Sequence, residues 1–412
     1  MTATISNIST ILKVRYKEGV AFEGRDMQTL LNVLPKATDF DGEAVHVAVQ
    51  TAGPRGASSD FAQAMASLKP STFYKFIVTR TESFALARVR GQAMKAARSG
   101  GALLNLWQNE IDRASKTDME HHAIMAHRNG TGSRARLASA SAGAGTATIT
   151  LSSPWDANNF EIGDRVRASA TDGGALLSTA AVEITGIDRV SGTLTAGATW
   201  NVTIPGLDED DYLYRAGDEK NNGTAIVPTG YDGWCVGGSS PGTLFSLSRD
   251  PDPVRLAGQS LSVSGLPMSE AIVKGLAYLD IQGAKAPDLC LVHPADMAQL
   301  KISLEGQKVY DGQLKGTTAG VSFKTVQIAG SRGPVDIMED PYMATGKCKI
   351  TRKASWKFHT LGPVSQILDF DDNQFLRVAS DDAYEVRVGT YGNMYTDRPL
   401  DSIVLTSFGV GG

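Results

Sequence analysis

The stretch ALLNLWQNEIDRASKTDMEHHAIMAHR, residues Ala102–Arg128, predicts one long helix that begins after Ser99-Gly100-Gly101 and ends at Asn129-Gly130. Such a helix is roughly 40 Å long at about 1.5 Å per residue. Apolar residues recur along it at spacings of three and four and form one stripe: Leu103, Trp107, Ile111, Ala114 and Met125. The stretch lacks the sustained heptads of a coiled coil. A rod with a single apolar stripe needs a sheet or a neighbouring subunit to cover that stripe.

The chain has 412 residues, of which 42% are hydrophobic. This length predicts two or three domains with sizeable cores. No run approaches the roughly 18 apolar residues of a membrane span, and the polar start MTATISNIST lacks the pattern of a signal peptide. We therefore expect a soluble, folded protein that acts or assembles in a cytoplasm.

Charge is unevenly distributed along the chain, although the formal net charge is only -4. Arg80–Arg128 holds eight Lys or Arg and five Asp or Glu, whereas Leu137–Lys220 holds five basic and twelve acidic residues. The net charge excludes a globally basic nucleic-acid-binding protein. The contrast is typical of two modules with differently charged solvated faces.

The three cysteines, Cys235, Cys290 and Cys348, are far apart in the sequence and odd in number. This pattern argues against a disulfide framework and against a clustered thiolate metal site. We interpret all three as reduced, mostly buried thiols.

The N-terminal part of the chain predicts an arm followed by a two-stranded ribbon. Met1–Lys36 has too little apolar surface for its own core and must dock either on its own chain or on a neighbour; Pro35 ends its last helical piece. Ala44–Thr51 and Phe73–Leu86 alternate, which predicts two strands joined by a long mobile tip. Arg88–Arg98 predicts a short helix that leads into the long one.

Small residues and short strands separated by turn signals dominate Ala135–Asp218. They predict a small barrel or sandwich that is inserted into the main fold and dispensable to it. The predicted strands are Thr146–Leu151, Arg165–Ala170, Ala180–Ile187, Thr193–Ala196 and Asp211–Arg215.

After a loop-rich stretch, Thr224–Gly258, the pattern predicts a compact α/β layer and then a run of strands. Helices are predicted at Pro267–Ile281 and Ala295–Leu304, on either side of a buried strand at Leu289–Val292. The later predicted strands are Val326–Ile328, Val335–Met338, Cys348–Thr351, Trp356–Thr360, Phe375–Ala379, Ala383–Gly389 and Ser402–Phe408.

One stretch has the pattern of a catalytic nucleophile. Gly238-Ser239-Ser240-Pro241-Gly242 fits the G-x-S-x-G pattern of a serine hydrolase. However, Pro241 has no N–H to contribute to an oxyanion hole, and no helix is predicted after Gly242. We interpret the stretch as a turn and keep a serine hydrolase that uses Ser240 as the alternative from another functional class.

His121, His122 and His127 of the long helix have the residue type of a metal site. Neither His121 nor His122 is followed by a histidine four positions later, so the H-E-x-x-H geometry is absent. His121 falls on the apolar stripe near Met125, and His122 is four residues from Asp118, a spacing that pairs side chains on a helix. We interpret these histidines as packing and pairing groups rather than metal ligands.

Three further stretches have the composition of an ion site without its spacing. Asp208-Glu209-Asp210-Asp211 and Asp250-Pro251-Asp252 lack the spaced ligands and central glycine of a calcium loop. Gly130-Thr131-Gly132 lacks the further glycine and the lysine of a phosphate loop and is interpreted as the end of the helix. We therefore predict no catalytic, cofactor-binding or metal-binding residues and no enzymatic activity.

The order of these elements and four local stretches resemble one known family. The stretches are LLNVLPK at 30–36, FALARVRGQAMKAARSGGALLNLWQNEID at 84–112, LCLVHPADMAQL at 289–300 and YEVRVGTYGNMYTDRPLDSIVL at 384–405. On these the chain resembles the major capsid protein of tailed bacteriophages, an α+β protein of the Hong Kong 97 fold.

The resemblance implies an assignment of domains. An N-terminal arm would span 1–36, an extended E-loop 37–86, the spine helix of the peripheral P-domain 87–134, the axial A-domain 221–346, the P-domain strands 347–398, and a C-terminal strand of either domain 399–412. The inserted β-barrel-like domain at 135–220 departs from the minimal fold. Its acidic surface would suit the outside of a shell, and the more basic arm and spine helix would suit an inner face near DNA.

The same resemblance implies assembly rather than catalysis. Copies would form the hexamers and pentamers of an icosahedral shell around the double-stranded DNA of a tailed phage, assembled in the cytoplasm of a host bacterium. The implied partners are other copies, a portal protein and a scaffolding protein, with a decoration protein left open and no membrane. Some relatives crosslink through an E-loop lysine, but nothing distinguishes Lys69 from Lys75 in that role.

Two other protein classes remain as alternatives beside the hydrolase. An encapsulin, a cellular compartment of the same fold that holds a cargo enzyme, is disfavoured by the arm and the inserted barrel. A β-rich tail or adhesin protein is disfavoured by the long helix.

Overall fold

The computed structural model describes residues 28–91, 106–138, 146–220, 223–305, 326–330, 332–369 and 376–408. Within them the α-helices are α1 Thr29–Val33, α2 Phe61–Ala66, α3 Leu106–His127, α4 Trp200–Thr203, α5 Tyr231–Trp234, α6 Met268–Gln282 and α7 Pro294–Glu305; the 3-10 helices are Pro154–Asn159, Lys353–Ser355 and Pro399–Asp401. None of these described helices is both long and apolar enough to cross a membrane.

The strands of the described residues are, in chain order, β1 Lys36–Ala37, β2 Ala44–Ala52, β3 Thr72–Thr79, β4 Thr81–Arg90, β5 Ser133–Arg136, β6 Thr148–Thr150, β7 Arg165–Ser169, β8 Val182–Asp188, β9 Thr193–Ala196, β10 Tyr212–Arg215, β11 Thr243–Leu244, β12 Leu247–Ser248, β13 Gln259–Ser262, β14 Leu289–Val292, β15 Val326–Gly330, β16 Gly333–Glu339, β17 Lys347–Thr351, β18 Trp356–Thr360, β19 Gln366–Ile367, β20 Leu376–Arg377, β21 Ala383–Thr396 and β22 Ile403–Thr406.

The chain divides into two compact units. The smaller unit includes Phe84–Asp118 and Ser365–Gly389. The larger unit includes Met27–Ser83, Met119–Val364 and Thr390–Gly412. The predicted long helix is present as α3 from Leu106, and residues 102–105 lie outside the described part of the chain.

The core of the smaller unit combines a helix with a short sheet. Strands β19 and β20 pair with β21, and the buried residues come from β4, α3 and β21: Ala87, Ala114, Val386 and Val388. Strand β4 corrects the prediction of a helix at Arg88–Arg98, because its residues keep alternating between buried and exposed as far as Arg90. Residues 92–98 lie outside the described part of the chain.

A six-stranded mixed sheet forms one layer of the larger unit, with the strand order β13-β22-β17-β14-β16-β15. Strand β14 pairs in parallel with β16 and antiparallel with β17. Helix α6 covers one face of the sheet and buries Ile272 and Leu276 there. The family resemblance places β17 among the P-domain strands, whereas the structure pairs it with β14 and β22, so this sheet extends past Gly346 to Thr351.

Strands β5 to β10 form a small closed barrel in the order β5-β10-β7-β8-β9-β6. The two end strands are joined by backbone hydrogen bonds from Ala138 N to Thr150 O at 3.0 Å and from Ser152 N to Arg136 O at 2.8 Å. The interior is a separate apolar cluster that includes Trp200 and Leu213. Closure of this kind leaves no unpaired sheet edge.

The first and last strands of the barrel are neighbours. Ser133 of β5 is the register partner of Tyr214 of β10, so the chain enters and leaves the barrel at adjacent positions. The first strand, Ser133–Arg136, is not among the predicted strands of this region. It has only four residues, the first three are all buried so that it does not alternate, and it continues directly from the turn after α3.

Strands β2 and β3 form a two-stranded ribbon with α2 in the connection at its tip. The Asp60 side chain caps α2 by accepting a hydrogen bond from Ala62 N at 2.8 Å, so part of the tip predicted as a mobile loop is helical. The predicted return strand Phe73–Leu86 is two strands, β3 and β4, with a break at Arg80. Arg80 Nη1 donates to the carbonyl oxygens of Phe40 at 3.4 Å and Gly42 at 3.2 Å.

The base of the ribbon and the arm helix pack into the main core of the larger unit. The Phe76 ring meets the Trp234 ring edge-on with centroids 5.0 Å apart, and the Tyr231 ring stacks on Trp356 at 4.8 Å. Helix α1 adds the buried Leu30 and Leu31 to the same cluster, and Leu34 directly after the helix adds a third leucine. This last part of the arm therefore docks on its own chain.

Candidate functional site

The C-terminal end of α3 meets a buried lysine from β17. Lys349 is only 1% exposed, and its Nζ donates to the carbonyl oxygen of His127 at 2.8 Å. The same Nζ lies 2.7 Å from Asp232 Oδ1 and 5.2 Å from the centre of the Tyr231 ring. A cation at this point complements the partial negative charge of a helix C-terminus. Lys349 therefore fastens α3 to the six-stranded sheet.

Asp232 balances this buried positive charge. Its Oδ2 lies 2.6 Å from Nζ of Lys347. Burial alone would raise the pKa of Asp232, but the nearby Lys349 and Lys347 outweigh burial and hold that pKa well below its usual range. Burial lowers the pKa of Lys349 to about 8, although Asp232 opposes this change. Removal of one partner from such a pair leaves an uncompensated buried charge.

Asp340 joins α3 to the arm helix. Its Oδ2 lies 3.1 Å from Nε2 of His127 and accepts a hydrogen bond from Leu30 N at 2.8 Å. Its Oδ1 accepts a hydrogen bond from Tyr342 N at 3.0 Å. Burial lowers the pKa of His127 even though Asp340 favours the charged form. One carboxylate thus serves both the first turn of α1 and the last turn of α3.

Arg134 holds the two chain ends of the barrel against α3. Its Nη2 lies 3.1 Å from Asp218 Oδ2, just beyond β10, and 3.0 Å from Nδ1 of His121. Its Nη1 donates to the carbonyl oxygen of Asn159 at 3.0 Å. The guanidinium group is buried, so these contacts replace the water it loses.

Two glycines near the end of α3 let neighbouring chain segments come closer than a side chain would allow. Gly132 has φ +89°, and a Cβ there would lie 1.9 Å from the carbonyl oxygen of Asp218. A Cβ on Gly230 would lie 2.2 Å from the carbonyl oxygen of Met125. Any side chain at either position would push the connecting segments apart.

The histidines of α3 each have a packing or pairing contact. Nε2 of His122 lies 2.8 Å from Ser83 Oγ, and its ring meets the Phe358 ring edge-on at 5.6 Å. His121 contacts Arg134, and His127 contacts Asp340. Within the described residues no three His, Cys, Asp or Glu side chains are grouped so that they could hold a metal ion.

Ser240 lies in an exposed turn. Its hydroxyl donates to Asp250 Oδ1 at 3.2 Å, and the same oxygen accepts from Gly242 N at 3.0 Å. The carbonyl oxygen of Pro241 accepts from Nη2 of Arg249 at 2.7 Å. The Gly-Ser-Pro-Gly stretch thus forms a turn around the Arg249 guanidinium and the Asp250 carboxylate.

The two acidic stretches are occupied by turns and ion pairs. Asp211 Oδ2 accepts a hydrogen bond from Asp208 N at 2.7 Å, and Asp210 pairs with Arg136 at 3.2 Å. Asp252 faces Arg255 at 3.8 Å. The other stretch, Gly130-Thr131-Gly132, follows the end of α3 with positive φ at both glycines.

The tip of the ribbon carries an exposed apolar surface. Phe61 and Met65, at i and i+4 of α2, lie on one face of that helix and are 79% and 59% exposed. Leu68 and Phe73 next to α2 are also exposed, and no residue of α2 is buried. A helix of six residues has little stability of its own. Contact with another molecule would bury this apolar surface and stabilise the helix.

The buried charged residues could not be predicted as a site from the sequence. Lys349 lies in KCKIT between two apolar residues of a strand, and Asp340, Asp232 and Arg134 belong to no recognisable motif. One weak signal exists: strand β17 is buried on both faces, so a lysine within it needs a partner.

Comparisons with known proteins show the fold. No protein-family profile matches the sequence, and no curated protein matches it. A subunit of the cyanophage A-1(L) capsid superposes with a TM-score of 0.64 at 8% identity, over 98% of this chain and 99% of that one. A capsid subunit of a native GTA particle gives a TM-score of 0.53 at 8% identity, over 99% of both chains.

The SrpI encapsulin of Synechococcus elongatus PCC 7942 superposes with a TM-score of 0.46 at 8% identity, which is too low to support an argument. The cyanophage and GTA subunits match almost the whole length of this chain, helices and strands together. The chain therefore has the α+β fold of tailed-phage capsid proteins, the Hong Kong 97 fold.

Proposed function

We propose that this chain is the major capsid protein of a tailed phage. Copies of it assemble into the hexamers and pentamers of an icosahedral shell that encloses double-stranded DNA. The fold it shares with the cyanophage and GTA capsid subunits supports this proposal. The alternative within the fold is an encapsulin that holds a cargo protein.

The observation that carries the proposal is the apolar tip of the ribbon. The base of the ribbon is buried in the subunit core through Val47 and Phe76, whereas Phe61, Met65 and Phe73 are exposed. An exposed apolar surface on a two-stranded extension is stabilised when a neighbouring copy covers it. A subunit that is complete only among its neighbours is a building block of an assembly.

The domain names follow from this function. The arm is 1–36, the E-loop 37–86, the spine helix 87–134, the A-domain 221–346 and the P-domain strands 347–398, with the C-terminal strand at 399–412. Two of these boundaries are shifted by the strand pairing: β17 joins the sheet of the A-domain, and β4 extends to Arg90 before the spine helix. The barrel at 135–220 is an insertion on the outer surface. The subunit acts by assembly and has no catalytic role. Its partners are other copies, a portal protein and a scaffolding protein, and its location is the virion.

Negative-stain electron microscopy of the purified full chain tests the assembly directly. Closed shells of uniform diameter are the expected result, because the exposed tips are then covered. Discrete monomers at high protein concentration contradict the proposal.

The contents of particles isolated from the cells in which they form distinguish the phage from the encapsulin. Nuclease-protected double-stranded DNA is expected for the capsid protein, and a protein cargo without DNA supports the encapsulin. A fluorophosphonate probe tests the hydrolase: no labelling is expected, whereas labelling that disappears in the Ser240→Ala variant supports an enzyme.

A further inference from the structure

Two buried cysteines face each other across the six-stranded sheet. Strands β14 and β17 run antiparallel with Cys290 opposite Ile350 and Cys348 opposite Val292. Cys290 and Cys348 are therefore diagonal neighbours on one face of the sheet. Both are completely buried, in the apolar cluster beneath α6.

The two thiols are already in contact. Their Sγ atoms lie 3.2 Å apart, and a disulfide requires an approach to about 2.05 Å. The remaining approach of roughly 1.2 Å requires rotation of both side chains and a small shift of the strands, because diagonal neighbours lie farther apart than directly opposite residues. Cys235 belongs to the other apolar cluster, with Tyr231 and Trp234.

We propose that Cys290 and Cys348 form a redox-sensitive pair that hydrogen peroxide converts to a disulfide between β14 and β17. One thiolate attacks the peroxide, its sulfur takes up an OH group as a sulfenic acid, and the other oxygen leaves as water. The second sulfur displaces that OH as a second water and forms the S–S bond. Two electrons pass from the two sulfurs to one peroxide, and the two thiol protons complete the two waters.

The surroundings of the pair make this reaction slow. The contact with Cys290 and the burial of the site hold the pKa of Cys348 well above its ordinary value, so little thiolate is present at neutral pH. We therefore expect the oxidation to require prolonged exposure to peroxide.

The disulfide would close a long loop. The two cysteines are 58 positions apart, and α7, β15 and β16 lie between them. A covalent link across a loop of this length restricts the unfolded chain strongly. The oxidised subunit should therefore unfold at a higher temperature than the reduced one. This inference is independent of the proposed shell function, since it concerns the sheet of a single chain.

Thiol counting tests the proposal on the purified full chain. The protein is treated with hydrogen peroxide, quenched with catalase, unfolded in guanidinium and alkylated with N-ethylmaleimide, and its intact mass is measured. The untreated chain should take up three alkyl groups, and the oxidised chain one, with a loss of about 2 Da for the two hydrogens. Peptide mapping should place the disulfide at Cys290 and Cys348, and dithiothreitol should reverse both the mass change and the rise in melting temperature.

Two variants make the result decisive. Cys235→Ser should form the same disulfide and leave no thiol to alkylate. Cys348→Ser should keep both remaining thiols after peroxide, with no crosslink. Three alkyl groups on the oxidised wild type, a disulfide that includes Cys235, or sulfinic acid at Cys290 without a crosslink would each overturn the proposal.

Discussion

The barrel and the ribbon of the larger unit differ in how they bury the apolar residues of their strands. The barrel closes its six strands and buries Trp200 and Leu213 inside. The ribbon has two strands, buries only its base, and leaves Phe61 and Met65 at its tip in water. Exposed apolar residues of the barrel region are separated from each other in the chain: Val190 lies in the turn between β8 and β9, and Val202 lies in α4.

This difference shows where the chain is complete and where it depends on others. A closed barrel with its own core is stable within one subunit, whereas a ribbon tip without a core is stabilised only by contact. Damage inside the barrel should therefore stay local, and damage at the ribbon tip should appear only when subunits meet. We call the buried charged contacts at the end of α3, made by Lys349, Asp232, His127 and Asp340, the frame. Changes in the frame should affect the whole subunit.

The largest expected effect is on assembly, from the double variant Phe61→Asp with Met65→Lys. The two charges replace the apolar face of α2, so neighbouring copies no longer bury it, and we expect closed shells to disappear from electron micrographs. The isolated subunit should keep its stability to within about 0.5 kcal/mol, since neither residue is buried. The matched control is Val190→Lys on the barrel, where the side chain is 90% exposed and shells should form normally. Normal shells from the double variant would contradict the assigned role of the tip.

The variant Lys349→Met tests the frame. Asp232 would lose the partner that lies fully buried, which should lower the free energy of unfolding by about 3–5 kcal/mol in guanidinium titrations. Lys347→Met is the control, because Lys347 is partly exposed and its loss should cost much less. The double variant Lys349→Met with Asp232→Leu should recover part of the loss. Equal losses of unfolding free energy in Lys347→Met and Lys349→Met would show that the burial of the lysine does not determine the cost of removing it.

A cavity in the barrel should have a smaller and local effect. Leu213→Ala removes a fully buried side chain from the barrel interior, at an expected cost of about 2–5 kcal/mol to the barrel alone. Hydrogen exchange measured by mass spectrometry should accelerate in β5 to β10 and stay unchanged in β2 and β3. Faster exchange in the ribbon as well would mean that the two regions unfold together. Val190→Ala provides the exposed control in the same barrel.

Acid should weaken the frame through His127. Burial holds the pKa of His127 below its ordinary value of 6.5, so the unfolded chain takes up a proton at a pH where the folded chain does not. The free energy of unfolding therefore falls as the pH decreases from 7 through 6.5, by at most about 1.4 kcal/mol per pH unit for this group. His127→Gln should reduce this slope, because it removes the buried group whose pKa is lowered in the folded chain. An unaltered slope in His127→Gln would assign the acid sensitivity to other groups.

The smallest expected effect belongs to the exposed ion pair of Arg136 and Asp210 on the barrel. Both side chains are about half exposed, so Arg136→Ala should cost only about 0.2–1 kcal/mol. Thermal melts at low and high salt should show that the difference shrinks as salt screens the charges. A loss that persists at high salt would point instead to packing of Arg136 on the Tyr212 ring, which lies 5.7 Å away.

The elements that the sequence predicts well are those with strong local signals. Leu289–Val292 and Trp356–Thr360 appear in the structure with the predicted bounds, because the first is a short buried apolar run and the second alternates apolar Trp356 and Phe358 with polar residues. The break at Arg80 is decided by carbonyl groups some 40 positions away in the chain, which no local pattern contains. The pairing of β17 with β14 is likewise a tertiary choice.

The candidate site was the least predictable part. The exposed tip could be predicted as a polar connection, but the short helix within it depends on one capping residue, Asp60. Lys349 and Asp232 become partners only when the sheet and α5 meet, so their spacing of more than a hundred residues carries no signal. The interpretation of Gly238-Ser239-Ser240-Pro241-Gly242 as a turn rests on covalent chemistry alone, because Pro241 has no N–H.

The adjacent ends of the barrel have a practical consequence. Ser133 and Tyr214 are cross-strand partners beside a β-bulge, and paired strands are about 5 Å apart. A foreign domain whose own termini are that close has the geometry to replace the barrel without stretching the turn after α3. The position is therefore a natural graft point, at which an antigen or an enzyme of suitable shape can be displayed once per subunit by a single change in the gene.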